Sequence, residues 1–236
     1  MKILGRNNKE IRTLDEYKQY APPERDYQWV PEHSAMEFAK KVLANKLQEE
    51  LSVSFPDIIL ETAYPEQLTY FDNYGGPRHH DLACVGYIDG KKTAICFEAK
   101  ATETFGSTTV QQELARAEAK LRDNKNTNIP ERIAGLCRLL WKSEITSNIK
   151  KIQYQLLHAA AGSISFAKEI KATNCLFIVY QLETDKTSDN ICKEHFLSLS
   201  EFVSIFGKQI KPRIPCFIGK IDNIDFSILY LQTRKI

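Results

Sequence analysis

The sequence predicts an α/β domain in which a mixed β-sheet is flanked by helices. Three observations support this. A helical pattern precedes three strand-like segments, and further helical patterns follow them. The apolar run "CLFIVYQLE" (175–183) is typical of a strand buried on both faces. Finally, "CFIGKID" and "FSILYLQ" predict a closing pair of strands near the end of the chain. Helices and strands interleaved in this order indicate a sheet covered by helices.

The composition is that of an ordinary globular protein. Of the 236 residues, 43% are hydrophobic and 26% are charged, which is enough to build a sizeable core. The net charge of +2 neither requires nor excludes a nucleic-acid partner. The sequence has no apolar run of membrane-spanning length, no signal-peptide pattern and no paired cysteines among its six, so we expect a cytoplasmic protein with reduced thiols and no membrane association.

The first elements are predicted from capping and periodicity. Residues 1–33 read as an irregular lead-in. Ser34 and Glu37 have the spacing of a capping box, which predicts one amphipathic helix over residues 35–51. A first strand is expected over 57–64, and a loop containing Gly75, Gly76 and Pro77 should follow it.

The stretch "RHHDLACVGYIDGKKTAICFEAKA" (78–101) predicts a β-hairpin, because Asp89-Gly90 between two apolar runs is a strong signal for a two-residue turn. In that register Ile88 faces Lys91, and Asp81 comes to lie opposite Glu98 with β-carbons about 5 Å apart. Lys100, two residues after Glu98, points to the same face of the sheet. The turn alone therefore brings two acids and a lysine together.

This grouping suggests chemistry because two facing carboxylates repel each other and resist burial. A divalent cation such as Mg²⁺ relieves the repulsion and is commonly held by one or two carboxylates together with substrate phosphates. The neighbouring lysine can offset charge on a phosphate oxygen, so the group suits phosphodiester cleavage. The alternative is a solvated ion pair at the frayed ends of two strands.

The later elements are mostly helical. A helix should begin near Ser107, and others should cover 130–141 and 148–170. A short helix, "SLSEFVSIFG", should end at Gly207. The sequence contains no Gly-x-Ser-x-Gly elbow, no phosphate-binding loop and no GxGxxG fingerprint.

An acid, a hairpin and then Glu98-Ala99-Lys100 after an apolar strand resemble the motif of the PD-(D/E)xK nuclease superfamily, of which this chain would be an uncharacterised branch. The resemblance implies a restriction endonuclease-like αβββαβ core at about 34–183. That core would lie in a single domain, 1–236, with a lead-in, 1–33, and a C-terminal extension, 184–236, that adds further strands.

The resemblance also implies roles for residues of the hairpin. Asp81, Glu98 and the Ala99 carbonyl would be metal ligands for Mg²⁺, or for Mn²⁺, and Lys100 would be the catalytic lysine. The protein would be a metal-dependent nuclease, an endonuclease or an exonuclease, with DNA favoured over RNA as its substrate, and it would act in restriction, repair or phage defence. Many members of the superfamily are dimers, so a homodimer is compatible with it.

Five further residues are accessory candidates. The superfamily often carries a glutamate on its first helix, and the resemblance offers Glu37 or Glu50 for that role. Glu103 would be a supporting carboxylate, His79 a phosphate contact, and Gln155 a residue near the substrate. Three rival interpretations stay open: a catalytically silent nucleic-acid-binding or scaffold domain of the same fold, a metal-independent interaction protein in which the two acids and the lysine form a surface ion pair, and a zinc site formed by the two histidines and Asp81.

Overall fold

The fold is built on one mixed sheet of seven strands in the order β1-β2-β3-β4-β5-β7-β6. The structure is a computed structural model, and it describes residues 1–23, 26–74, 76–106 and 108–233. The strands are β1 Lys2–Ile3, β2 Ile59–Thr69, β3 Arg78–Ile88, β4 Lys91–Lys100, β5 Asn174–Gln181, β6 Cys216–Ile221 and β7 Ile224–Gln232.

Helices cover both faces of this sheet. They are α1 Leu14–Tyr20, α2 Ser34–Leu43, α3 Lys46–Ser52, α4 Val110–Arg122, α5 Ile129–Trp141, α6 Ser147–Lys151, α7 Tyr154–Glu169 and α8 Asp189–Ser204. The first three helices pack in one apolar cluster with Leu82 and Phe97 of the sheet. The other five pack in a second cluster with Ala83 and Cys96. Neighbouring strand residues thus contribute to opposite faces, as the pleat requires.

The predicted α/β class is therefore confirmed. Strands β2, β3 and β4 form an antiparallel meander, and β5 pairs in parallel with β4 after the helical crossover α4–α7. The apolar run at 175–183 forms β5, which lies between β4 and β7 and is buried, as expected. The predicted closing pair is also present, as antiparallel β6 and β7.

The prediction of an irregular lead-in over 1–33 was wrong. Strand β1 pairs in parallel with β2, and α1 begins at a capping box in which Thr13 and Glu16 bind each other's backbone N–H groups. The Thr-x-x-Glu spacing was readable in the sequence, since it is the same signal that was applied to Ser34 and Glu37.

The single helix predicted over 35–51 is in fact two helices. The chain breaks between α2 and α3 at Asn45, whose φ of 54° is in the left-handed region that asparagine tolerates. The capping box at Ser34 was also wrong, because His33 is the N-cap and no side chain caps this helix. Glu37 instead accepts from the backbone N–H of Glu32, at 3.0 Å, and from Lys40.

Two further boundaries differ because of tertiary contacts. Strand β2 continues past Pro65 to Thr69, which is tolerated because β1 pairs with β2 only at Thr62 and Ala63 and leaves Pro65 on an edge. The helix predicted over 148–170 splits into α6 and α7, since Gln153 forms a β-bridge with Thr109.

The last differences from the predicted elements concern the C-terminal helix and two loop residues. The short C-terminal helix is the end of a longer one, α8, which Ser188 caps. Ser107, the expected start of α4, and Gly75 of the predicted loop lie outside the described residues. In the described part of the chain, no helix is both long enough and apolar enough to cross a membrane.

Candidate functional site

The predicted hairpin and its register are confirmed over most of its length. Asp89 and Gly90 both have positive φ, 49° and 71°, as a type I′ turn requires. Pairing runs from Ile88 and Lys91 at the turn to Leu82 and Phe97. The hairpin turn thus fixes which residues of β3 and β4 lie side by side.

The ladder between β3 and β4 stops one step before Asp81 and Glu98. A carboxylate oxygen of Asp81 instead accepts a hydrogen bond from the backbone N–H of Ala99, with an N–O distance of 2.6 Å. On the other side of β3, Glu66 and Asp81 are missing from the β2–β3 register, and Glu66 has a φ of 51°. The expected pairing of the two acids in the ladder is therefore not formed, and the side chain of Asp81 takes the place of a backbone acceptor.

The hairpin residues line a pocket of about 140 Å³ at this end of the sheet, which we call the strand-end pocket. It contains the predicted group Asp81, Glu98, Ala99 and Lys100 together with the accessory candidates His79, Glu103 and Gln155. The N-terminal segment forms one wall of the pocket with Tyr17, Gln28, Ser34 and Phe38. Glu66 and Arg78 are further charged residues of its lining.

Glu98 is the most enclosed acid of the pocket, with 1% of its surface exposed. One carboxylate oxygen receives the ammonium of Lys100 at 2.7 Å and the side-chain amide of Gln155 at 2.7 Å. The other oxygen is ion-paired with the guanidinium of Arg78. A buried carboxylate is tolerated when it is paired and hydrogen-bonded in this way.

Burial shifts the pKa values of Asp81 and Lys100 in opposite directions. Burial raises the pKa of Asp81, and the nearby charges of Lys100 and Arg78 work against that rise. Burial also lowers the pKa of Lys100, while Asp81 and Glu103 favour its charged form. Both groups are held where water stabilises charge poorly, which is typical of reactive sites and of buried ion pairs alike.

The neighbouring histidines differ in their surroundings. His79 lines the strand-end pocket, whereas His80 is fully buried and its Nε2 lies 2.9 Å from the hydroxyl of Thr69. Burial lowers the pKa of His80 well below its ordinary value. His195 of α8 contacts the backbone carbonyl of Glu103 at 2.7 Å and so supports the loop after β4.

Neither candidate for a helix glutamate lines the strand-end pocket. Glu37 is engaged with Lys40 and Glu32, as described above. Glu50 forms an ion pair with Lys41, with N and O 3.0 Å apart, and accepts a hydrogen bond from the hydroxyl of Tyr180. The structure therefore does not bring either of these two candidates, on α2 or α3, to the strand-end pocket.

Several pocket residues, among them Arg78, Tyr17 and Glu66, had no role assigned from the sequence. Arg78 begins β3 and is 7% exposed, although an arginine at a strand end normally reaches into water. Tyr17 and Glu66 arrive from the lead-in and from beyond Pro65, in segments for which no strand or helix was predicted. The "RHH" run before Asp81 was the available signal for Arg78.

A divalent cation would find a suitable but incomplete set of donors in the strand-end pocket. Carboxylates and a backbone carbonyl are the oxygen ligands that Mg²⁺ and Mn²⁺ prefer. Within the described residues, however, no group of three or more His, Cys, Asp or Glu side chains is arranged to hold a metal ion. The donor chemistry of Asp81, Glu98 and Ala99 fits, but a cation bound there would compete with the present partners of Glu98.

Comparison with known proteins gives a family without an assigned role. No curated protein and no solved structure matches the chain. Residues 10–235, which include β2 to β7, the helices α1 to α8 and the whole strand-end pocket, match a family described as "Domain of unknown function (DUF6946)". The chain therefore belongs to the DUF6946 family.

Proposed function

We propose that this protein is a metal-dependent nuclease that hydrolyses phosphodiester bonds, with DNA as its preferred substrate, and that the strand-end pocket is its active site. One observation carries the proposal. Two acids and a lysine, Asp81, Glu98 and Lys100, line one small pocket at the point where the ladder between β3 and β4 stops. Burying Glu98 and Lys100 beside Asp81 at such a break contributes little to the stability of the fold.

The topology supports the same conclusion. An antiparallel meander, β2-β3-β4, followed by a helical crossover to a parallel β5 is the strand order expected of a restriction endonuclease-like core. The acids lie on the two central strands of that core, Asp81 on β3 and Glu98 on β4. We therefore propose that the αβββαβ core consists of α2, β2, β3, β4, the crossover helices and β5.

The residues of the pocket would have distinct tasks. Asp81, Glu98 and the Ala99 carbonyl would hold the cation, which would supply positive charge to acidify a water molecule. Lys100 lies with its ammonium 5.6 Å from the centre of the Phe105 ring and beside Glu98, so it is fixed in place. That ammonium would stabilise the negative charge that develops on the phosphate during attack. Gln155 would keep Glu98 oriented through its 2.7 Å hydrogen bond.

A specific observation also favours a second candidate. Glu98 already has three partners, so the pocket could be a metal-free ion-pair network in a binding or scaffold domain. The two candidates differ in what they predict for cations, because the network needs none.

Calorimetric titration with Mg²⁺ and Mn²⁺ separates the candidates. We expect one cation site in the unmodified protein and loss of measurable binding in Asp81→Ala, because that change removes a ligand. Asp89→Asn, which removes a negative charge at the turn of the same hairpin and keeps a residue that tolerates the positive φ there, should leave binding intact. Absence of binding, or equal binding by Asp81→Ala, would favour the metal-free network.

A cleavage assay on plasmid, single-stranded DNA and RNA then tests the activity. We expect Lys100→Ala to slow cleavage by about 10²–10³-fold, because it removes charge stabilisation at the phosphate. Lys92→Ala is the matched control, since Lys92 lies on the same strand near the turn, and it should cleave at the parent rate. Cleavage by Lys100→Ala at the parent rate would eliminate the assigned mechanism.

A further inference from the structure

The starting observation concerns Arg78, which contacts the acid that a cation would need. Its guanidinium is ion-paired with one oxygen of Glu98, while Lys100 and Gln155 occupy the other oxygen. Both arginine and acid are buried, at 7% and 1% exposure. A cation that binds Glu98 must therefore displace or rearrange at least one of these partners.

A second observation shows that the fold makes room for this arginine. Gly162 lies in the interior of α7, where glycine weakens a helix relative to alanine. A β-carbon at Gly162 would lie 2.8 Å from Cγ and 3.0 Å from Cβ of Arg78, and 3.0 Å from Nε2 of His80. The missing side chain at position 162 thus admits the stem of Arg78 between β3 and α7.

The two cationic partners of Glu98 are not equivalent. Lys100 is two residues from Glu98 on the same strand, so both side chains project from one face at a fixed spacing. Arg78 reaches Glu98 from another strand, through a long side chain whose head can turn about its stem. The planar guanidinium is also suited to bind two phosphate oxygens at once, which an ammonium is not.

We propose that Arg78 is a phosphate-binding residue that occupies Glu98 until a divalent cation takes its place, and then binds the scissile phosphate of the nucleic acid. This inference rests on the proposed nuclease function. The exchange keeps the pocket close to charge balance: Arg78 neutralises Glu98 before the cation arrives and an anionic phosphate afterwards. It also gives the pocket a second phosphate contact beside Lys100.

The test compares Arg78→Met with the unmodified protein in two measurements. In calorimetry with Mn²⁺ and no nucleic acid, Arg78→Met should bind the cation about tenfold more tightly, because a competing charge is gone. In the cleavage assay with saturating Mn²⁺, the same variant should be at least about tenfold slower, because the phosphate contact is lost. Opposite effects on cation affinity and cleavage are not expected of a merely structural arginine.

Two more variants complete the design. Arg132→Met removes another ion-paired arginine, which is half-buried and whose Nε lies 2.7 Å from a carboxylate oxygen of Asp72, and it should leave the affinity for Mn²⁺ unchanged. Arg78→Lys keeps the charge and the packing but not the planar fork. It should bind Mn²⁺ within about threefold of the parent and still lose about tenfold in turnover. This variant carries the test if Arg78→Met does not fold.

The possible failures are distinguishable. If the unmodified protein and Arg78→Met both bind no cation, the proposed function fails and this inference fails with it. If the unmodified protein binds Mn²⁺ and cleaves, but Arg78→Met has the parent affinity or the parent rate, only the role of Arg78 is overturned. The same holds if Arg78→Lys cleaves as fast as the parent.

Discussion

The two ends of the β3–β4 hairpin differ in their backbone hydrogen bonding. At the turn end the strands pair without interruption from Ile88 and Lys91 to Leu82 and Phe97, and apolar side chains fill both faces. At the pocket end the ladder stops, and the carboxylate of Asp81 binds the N–H of Ala99 in place of a backbone carbonyl. The backbone pairing of this hairpin is therefore regular where apolar packing surrounds it and irregular where charged side chains are buried.

The difference has a physical cause. Backbone pairing is favourable wherever both strands can present their groups, so its loss needs compensation. At the pocket end the carboxylate of Asp81 compensates by accepting from the backbone N–H of Ala99. The carboxylate of Glu98, in turn, is satisfied by Arg78, Lys100 and Gln155. These substitutes leave carboxylates and cations around a pocket instead of a closed sheet.

Truncation of the buried acid Glu98 should have the largest effect on stability. Glu98→Ala leaves Arg78 and Lys100 buried without their acid, so we expect the free energy of unfolding to fall by about 3–5 kcal/mol. Urea denaturation measures it. Lys91→Ala, an exposed change at the turn end, should shift it by less than about 0.5 kcal/mol. A loss below about 1 kcal/mol for Glu98→Ala would mean that the pocket charges are well solvated.

The turn end should respond to backbone strain instead of charge. Gly90→Ala places a β-carbon at a φ of 71° but meets no atom within 4 Å, so only conformation is changed. We expect a loss of about 1–2 kcal/mol in unfolding free energy. Gly135→Ala, in helix α5 with equally open space, should be neutral or stabilising. Equal stability of Gly90→Ala and the parent would contradict the type I′ turn.

The smallest expected effect is local and concerns one hydrogen bond, from the N–H of Ala99 to the carboxylate of Asp81. In Asp81→Ala the N–H of Ala99 loses its acceptor, so its hydrogen exchange should be about tenfold faster, equivalent to about 1.4 kcal/mol. Asp81→Asn keeps an acceptor oxygen and should preserve the protection. Amides of β4 near Lys92 serve as the internal reference, since they should exchange alike in all three proteins. Unchanged protection of Ala99 in Asp81→Ala would show that its N–H has another acceptor.

The hairpin and its register as far as Leu82 and Phe97 follow from the sequence alone. Asp89-Gly90 selects one turn type, and that turn sets the register along both strands. The continuous apolar run of β5 likewise required a strand covered on both faces. These features depend on residues close together in the chain, where the physical constraints are local and strong.

The remaining residues of the strand-end pocket are brought to it by tertiary packing. Arg78 enters it because Gly162, far along the chain, leaves space on α7. Gln155 reaches Glu98 from the first turn of that helix, and Tyr17 closes the other wall from a segment predicted to be irregular. Such contacts join residues that no local pattern relates, since they depend on how helices pack against the finished sheet.

The partners of Glu37 and Glu50 could not be predicted from the sequence for the same reason. Both bind residues outside the pocket, so the acids that line it come from strands and loops instead of from α2 or α3.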